Sequence, residues 1–309
     1  MEAQTVSFLE NYKHLSHGID ENAPEVRFMK YIGKGGREVE TFFNETTIYR
    51  DTVYLDAPNG RFESLKGISK FAQTWLDDFE ALEAEVHPVI QTIANGRSVT
   101  EMEVWFQLKD GSGIRRVPMT VFADLAPYNK MEGMRIYYFF KFLPGAVAYR
   151  IPVFKPRIMK PTEPVLMTGV MRYYYEQLHN YRKEALDNIM EMLSDDCIYG
   201  GYRPQEDEPI ARGKAEIRKH YEGICREVPH LNYVRFETIV DDGSRMAVEW
   251  TSIVTQKGRV DGRTSFCGCA IYDRSADGKL SSIRINDNAG YDPGIDVNSI
   301  NDWNNYIDE

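Results

Sequence analysis

The clearest hydrophobic pattern lies in the second half of the chain, where helical spacing gives way to strand alternation. Apolar residues recur every three or four positions from Thr168 to Leu193 and over Gly213 to Glu227, which predicts helices. The alternating segments that follow predict strands at Asn232–Asp241, Arg245–Gln256, Thr264–Tyr272 and Leu280–Asn288. Turn pairs such as Asp242-Gly243 separate them. Helices followed by hairpin-connected strands are typical of an α+β fold.

The first half of the chain repeats this plan. A helix is expected from Gly67 to about Leu82. Strands are expected at His87–Ala94, Ser98–Lys109, Arg115–Asp124 and Met134–Phe142. Aligning Gly67 with Gly213 places Glu103 at Glu249, and a small shift later places Arg135 at Arg284. The agreement in order and spacing predicts an internal duplication of a unit of roughly 130 residues.

A proline-rich stretch marks the boundary between the repeats. Five prolines stand between Pro144 and Pro164, which forbids a continuous helix and favours an extended connector. We therefore expect a first repeat with an N-terminal extension over residues 1–143, a linker over 144–166 and a second repeat with an acidic tail over 167–309. The two repeats are expected to pair as an intramolecular pseudo-dimer, and a homo-oligomer is left open.

Composition excludes several classes of function. The net charge of −10 disfavours nucleic acid and anionic membranes as partners, and no apolar run is long enough to span a bilayer. The chain's opening residues lack the basic and apolar regions of a signal peptide, and four cysteines do not form a disulfide scaffold. These features predict a cytoplasmic setting. Cys267 and Cys269 have no second pair for zinc, so no metal site is expected.

The last expected strand carries an acid among apolar residues. Side chains alternate along a strand, so Ile283, Ile285 and Asp287 point to one face. A carboxylate on an apolar face is costly unless it is hydrogen-bonded, protonated or lining a wet pocket. Asp287 is therefore either a pocket acid/base with a raised pKa or a structural carboxylate bonded to backbone N–H groups or an arginine.

Several segments of the second repeat resemble one known superfamily. They are Tyr173-Tyr174-Tyr175-Glu176, Leu193-Ser194-Asp195-Asp196-Cys197-Ile198-Tyr199, Gly213-Lys214-Ala215-Glu216-Ile217, Val248-Glu249-Trp250-Thr251 and the strand with Asp287. In this order they resemble the nuclear-transport-factor-2-like superfamily, above all its branch of SnoaL-like polyketide cyclases. Ketosteroid isomerases and limonene epoxide hydrolases are related branches. The resemblance implies two cone-shaped α+β barrel repeats, with helices packed on a curved, mostly antiparallel sheet around a pocket.

The resemblance also implies where chemistry would occur. The cyclase branch keeps an acid/base aspartate in its final strand, where this chain has Asp287 and the first repeat has Tyr138. The position of the isomerase base falls near Gly201 in the second repeat and at Asp56 in the first, where a turn residue before Pro58 is the alternative. An epoxide-hydrolase set of two acids and an arginine could come only from Glu249, Arg284 and Asp287. Strand alternation instead turns the side chain of Glu249 away from Val248 and Trp250, which favours an outward position if those two face the core.

The remaining candidates are aromatic or cationic side chains expected to hold a substrate. They are Tyr138, Tyr175, His179, Tyr199, Tyr202, Trp250 and Arg284. Together they favour an acid/base enzyme that needs no cofactor and acts on a small, largely apolar organic molecule, by cyclisation, isomerisation, dehydration or epoxide opening. The alternative is a non-catalytic binding or assembly module, since the fold serves both roles.

Overall fold

The chain divides into two compact units, of which the first contains Met1–Tyr149 and the second most of the remainder. The computed structural model describes residues 8–37, 42, 51, 53–58, 60–126, 130–138, 169–178, 183–201, 211–227, 230–255 and 263–289. In some strand and helix segments of the second unit, only the backbone is described. The expected linker over residues 144–166 lies outside the described residues.

The described residues of the first unit form three α-helices, a short 3-10 helix over Lys13–Leu15 and a six-stranded sheet. Its helices are α1 (Phe8–Tyr12), α2 (Pro24–Gly33) and α3 (Ser64–Asp78). Its strands are β1 (Tyr54–Ala57), β2 (Gly60–Glu63), β3 (Ala81–Ala94), β4 (Arg97–Leu108), β5 (Ile114–Ala126) and β6 (Lys130–Tyr137). The strand order is β2-β1-β6-β5-β4-β3, and β1 pairs with β6 in parallel while the other pairs are antiparallel.

The second unit has the same plan. Its helices are α4 (Gly169–Leu178), α5 (Lys183–Met192) and α6 (Gly213–Glu227). Its strands are β7 (Leu193–Gly201), β8 (Ala211–Arg212), β9 (His230–Asp241), β10 (Arg245–Thr255), β11 (Arg263–Arg274) and β12 (Leu280–Ala289). The order β8-β7-β12-β11-β10-β9, with β12 and β7 parallel, matches the first unit strand for strand. Both units are therefore cone-shaped α+β folds with a mixed sheet, as predicted.

Strand register fixes how the repeats correspond. Arg97 pairs with Asp124 in the first sheet, and Arg245 pairs with Asp273 in the second. The β3/β4 ladder skips one residue between Pro88 and Ile90, and the β9/β10 ladder skips one at the corresponding place. A shared bulge position indicates one inherited sheet rather than two similar ones.

This register corrects part of the predicted alignment. Glu249 stands four residues after Arg245 and corresponds to Glu101, not to Glu103. The predicted match of Arg135 with Arg284 is confirmed. Arg135 lies two residues after Gly133, the strand partner of Asp124. Arg284 lies two residues after Ser282, the strand partner of Asp273. The error arose because the alignment was anchored on Gly67 and Gly213, whereas the equivalent helices begin at Ser64 and Gly213.

Helix boundaries show where the sequence pattern was informative. The helix α6 has the bounds that its spacing predicted. The helix α3 begins at Ser64 and ends at Asp78, so the expected limits of Gly67 and about Leu82 were too late at both ends. The strand β3 begins at Ala81 and replaces the expected end of this helix. None of the described helices is long and apolar enough to cross a membrane.

Each sheet has a core face, which carries the hydrophobic core and the helices, and an opposite back face. In the first unit Met102, Val104 and Val121 lie on the core face, while Arg97 and Asp124 lie on the back face. The core faces carry most of the apolar burial. The back faces carry buried charged groups in both units.

Candidate functional site

The core face of the second unit holds a cluster of five buried tyrosines, which we call the tyrosine cluster. Its members are Tyr174 and Tyr175 on α4, Tyr199 on β7, Tyr221 on α6 and Tyr272 on β11. Helical spacing turns Tyr174, Tyr175 and Tyr221 inward. Strand alternation turns Tyr199 and Tyr272 inward. His220 packs beside them, with its ring 4.5 Å from that of Tyr199.

Hydrogen bonds join these phenols in pairs. Tyr175 donates to Tyr272 with an O–O distance of 2.6 Å, and the hydroxyls of Tyr174 and Tyr221 also bond to each other. Burial raises the pKa of Tyr175, Tyr221 and Tyr272 above the usual value of tyrosine. These phenols therefore remain protonated at neutral pH, so they can donate hydrogen bonds but cannot act as bases.

Three of the predicted site residues cannot be compared with this cluster through their side chains. Tyr202 and His179 lie outside the described residues. Asp287 lies in β12 opposite Gly268 of β11, and only its backbone is described. Its roles as acid/base or structural carboxylate both stay predictions. In the first unit Tyr138 stands at the corresponding position, is fully buried in the core and packs 5.3 Å from Phe79 between ring centres.

Arg284 was predicted to orient a substrate, but the structure places it in an ion pair on the back face. Asp273 accepts hydrogen bonds from Arg245, at 2.6 Å, and from Arg284, which also bonds to Ser282 at 2.7 Å. Burial alone would raise the pKa of Asp273, but the two guanidinium groups outweigh it and lower the pKa. The strand alternation that puts Ile283 in the core puts Arg284 on the opposite side.

Glu249 and Trp250 are neighbours in β10 and occupy opposite faces. Trp250 packs against the hydrophobic core of the second unit, so it lies on the same face as the tyrosine cluster. Glu249 is buried on the back face, where its strand partners are Thr238 and Cys269. Glu249 faces away from the core face, as strand alternation predicted, but it is buried on the back face.

Asp56 also lies on a back face. Arg61 of the neighbouring strand donates to both of its carboxylate oxygens, at 2.6 and 2.5 Å. Its neighbours Leu55 and Ala57 belong to the core of the first unit, so Asp56 points the other way. The turn alternative is also wrong, because Asp56 lies within β1. A carboxylate held by a bidentate arginine is a poor base, since the guanidinium stabilises its ionised form.

The core of the first unit contains a buried acid that the sequence analysis did not predict. Glu25 of α2 is fully buried in the first unit, where Ser98, Thr100 and Gln91 bond to one of its carboxylate oxygens. The sequence signal was present, because Glu25 stands at the start of the apolar stripe formed by Phe28, Met29 and Ile32. We call Glu25 and its three partners the Glu25 cluster.

The described residues offer no other converging set of reactive side chains. No group of three or more His, Cys, Asp and Glu residues among them is placed to hold a metal ion. A cleft of about 460 Å³ opens at the edge strand β3 of the first unit, lined in part by Lys30, Glu83 and Trp105. It contains none of the predicted site residues. The buried thiol of Cys197 has its pKa raised by burial to about 12, so it is not a nucleophile at neutral pH.

Several solved structures are similar to part of the chain. An NTF2-like protein of unknown function from Exiguobacterium sp. 255-15 is 14% identical, with a TM-score of 0.32 over 38% of this chain and 98% of its own. An epoxide hydrolase/cyclase-like enzyme of pyran ring formation in salinomycin is 15% identical, with a TM-score of 0.31 over 39% and 92%. A putative isomerase from Rhodopseudomonas palustris is 15% identical, with a TM-score of 0.34 over 39% and 90%.

The family comparison is more informative than these likenesses. No curated protein matches the chain. The family model of the SnoaL-like domain matches residues 171–283, from the first buried residue of α4 to the middle of β12. This range contains every member of the tyrosine cluster. The second unit of the chain is therefore a SnoaL-like domain with the nuclear-transport-factor-2-like fold, in tandem with a first unit of the same strand order.

Proposed function

We propose that the second unit binds a small, largely apolar organic molecule on its core face and acts on it by acid/base catalysis without a cofactor. The observation that carries this proposal is the hydrogen-bonded pair Tyr175 and Tyr272, two protonated phenols within an apolar core. Ligand sites in proteins are largely apolar with a few polar groups that fix orientation. The tyrosine cluster has this composition.

Two roles follow from the chemistry. Asp287 is the proposed proton carrier, because it lies in β12, which pairs with the strand of Tyr272. Removing a proton next to a carbonyl group creates negative charge on the carbonyl oxygen, and a buried phenol that donates to this oxygen lowers the barrier. A phenol must be protonated for this task, and burial keeps it so.

The first test uses 2-tetralone, a small apolar ketone with exchangeable α-protons. The full chain in deuterated buffer is expected to exchange these protons faster than the buffer does, as followed by NMR. Asp287→Asn should lower the catalysed rate by about 10²- to 10⁴-fold, the usual contribution of a general base. Asp195→Asn is the matched control, because Asp195 is a fully exposed carboxylate of the same unit. Equal rates for the wild type, both variants and buffer would contradict the proposal for this class of substrate.

The second candidate function is binding without catalysis. It is favoured by the positions of Asp56, Glu249 and Arg284 on the back faces, which leave Asp287 as the one predicted acid still available to the core of the second unit. Binding alone requires only the apolar wall and the phenols. Mass spectrometry of small molecules released from purified protein separates the two functions. A molecule recovered unchanged after incubation, and still bound by Asp287→Asn, would establish binding without turnover.

A further inference from the structure

The first unit contains a buried carboxyl group that has no charged partner among the residues that the structure describes. Glu25 is fully buried at the first turn of α2, and Pro24 precedes it in the same turn. One carboxylate oxygen, Oε1, bonds to the hydroxyl of Thr100 at 2.8 Å, to the amide of Gln91 at 3.3 Å and to the hydroxyl of Ser98. The other oxygen, Oε2, is equally buried and bonds to no described residue.

This environment favours the neutral form of the acid. Burial raises the pKa of Glu25 and outweighs the opposing effect of its hydrogen bonds. No basic side chain of the described residues forms an ion pair with it, and the groups that face it from β3 and β4 are the uncharged Gln91, Ser98 and Thr100. A buried carboxylate without a counter-charge is more costly than a neutral acid, so this site favours the protonated form of Glu25.

The hydrogen bonds also indicate which oxygen holds that proton. The amide nitrogen of Gln91 donates to the hydroxyl oxygen of Thr100 at 3.1 Å, so the Thr100 hydrogen is directed to Oε1 of Glu25. The Gln91 amide donates to Oε1 as well. An oxygen that already receives these hydrogens is the carbonyl oxygen of the acid. The proton therefore lies on Oε2, the oxygen with no acceptor among the described residues.

We infer that Glu25 is a buried proton donor in the first unit, and that its Oε2–H bonds to an uncharged oxygen that the described residues do not supply. The acceptor is uncharged because Phe28, Met29 and Met102 belong to the same core, and none of the described residues places a cation there to balance an anion. One internal water molecule and the carbonyl oxygen of a small organic molecule have the same chemistry. Either would remove the cost of leaving a buried polar group unsatisfied.

The second repeat supports a specific role for this position. Ser98 pairs with Ala123, and the corresponding pair in the second unit is Met246 with Tyr272. Both repeats thus place buried polar groups at the same end of the core face, an acid in one and a phenol in the other. The inference concerns a different unit and a different donor from the proposed function, and neither depends on the other.

The test is a pair of crystal structures of the full chain at neutral pH, grown with and without cyclohexanone as the ketone probe. An ordered water within hydrogen-bond distance of Oε2 in both crystals supports the inference with water as the acceptor. A ketone oxygen in its place supports the inference with an organic ligand. The absence of any non-protein oxygen within hydrogen-bond distance of Oε2 in both crystals overturns it.

A solution measurement keeps the inference testable without crystals. NMR of the full chain with isotope-labelled glutamate side-chain carboxyl carbons reports ionisation residue by residue, and Glu25→Gln identifies the resonance. Glu83→Gln is the control, because Glu83 is an exposed acid in the same unit. The Glu25 signal is expected to remain that of a neutral acid at pH 7, and Glu83→Gln should leave that signal unchanged. An ionised Glu25 at pH 7 overturns the inference, since an anion cannot donate.

Discussion

The hydroxyl of Tyr175 donates a hydrogen bond to the hydroxyl of Tyr272 across the core of the second unit, over 2.6 Å. Neither phenol is more than slightly exposed, at 8% and 2%, and their rings lie 5.7 Å apart, edge to face. The two phenols therefore form a hydrogen-bonded and packed pair inside the core. Removing one hydroxyl leaves the other as a buried polar group.

Tyr272→Phe is expected to destabilise the second unit by about 1–3 kcal/mol, because the Tyr175 hydroxyl loses its acceptor in a buried site. Tyr175→Phe should have a similar effect. The double variant should lose clearly less than the sum of the single losses, since no unsatisfied hydroxyl remains. Urea unfolding with a probe specific to the second unit provides the free energies of unfolding. Additive losses would show that the two hydroxyls are satisfied independently.

Much of the fold could be predicted because helix and strand periods are local properties of the sequence. The bounds of α6 and the four strands that follow it needed only the spacing of apolar residues and the Asp-Gly turns. The parallel pairing of β1 with β6 could not be predicted in this way. It joins residues about 80 positions apart, and nothing local in either strand indicates the partner.

The candidate site was harder to predict because charge pairing depends on register. Arg284 and Asp287 were treated as neighbours with one function, although Arg284 pairs with Asp273, 11 residues earlier. The same spacing of 11 residues separates Asp124 from Arg135 in the first unit. A comparison of charged positions between the repeats would have identified these ion pairs. The Glu25 cluster was missed because an acid in an apolar stripe was not sought outside the last strand.

Asp124→Asn should destabilise the first unit at neutral pH by about 3–5 kcal/mol, because it removes the negative charge that two buried arginines share. Asp124 bonds to Arg97 at 2.8 Å and to Arg135 at 2.6 Å. Asp77→Asn is the control, because Asp77 is an exposed acid of the same unit whose ion pair with Lys109 lies on the surface. A similar small loss in both variants would show that the buried pair contributes no more than a surface pair.

The ion pairs of Asp124 also predict how the stability lost in Asp124→Asn changes with pH. Burial would raise the pKa of Asp124, but Arg135 and Arg97 outweigh it and lower the pKa to about 2. The stabilisation is therefore present above the unfolded-state pKa near 3.8 and is lost as the pH falls towards 2. The difference in free energy of unfolding between the wild type and Asp124→Asn should be constant above about pH 5 and shrink below pH 4. A difference that does not change with pH would contradict the ion pair as its cause.

Gly133→Ala should destabilise the first unit by about 1–3 kcal/mol through overpacking. A Cβ atom at Gly133 would lie 2.3 Å from Cε1 of Tyr54, so the tyrosine ring must move. That movement breaks the 2.8 Å hydrogen bond from Tyr54 to Asp124. In a Tyr54→Ala background the same substitution should cost little, because the clashing ring is gone. Thermal and urea unfolding of the four proteins measure this coupling, and equal costs in both backgrounds would exclude the ring contact as the reason.

Glu25→Gln should stabilise the first unit increasingly as the pH rises. The folded state binds the Glu25 proton more tightly than the unfolded state, whose pKa is near 4.5, because burial raises the folded-state pKa. The wild type therefore loses stability from about pH 4.5 up to the folded-state pKa, by at most about 1.4 kcal/mol per pH unit, and the glutamine variant does not. Urea unfolding of the first unit at successive pH values tests this, with Glu83→Gln expected to follow the wild type. If the advantage of Glu25→Gln stays constant or falls with pH, Glu25 is ionised in the folded chain.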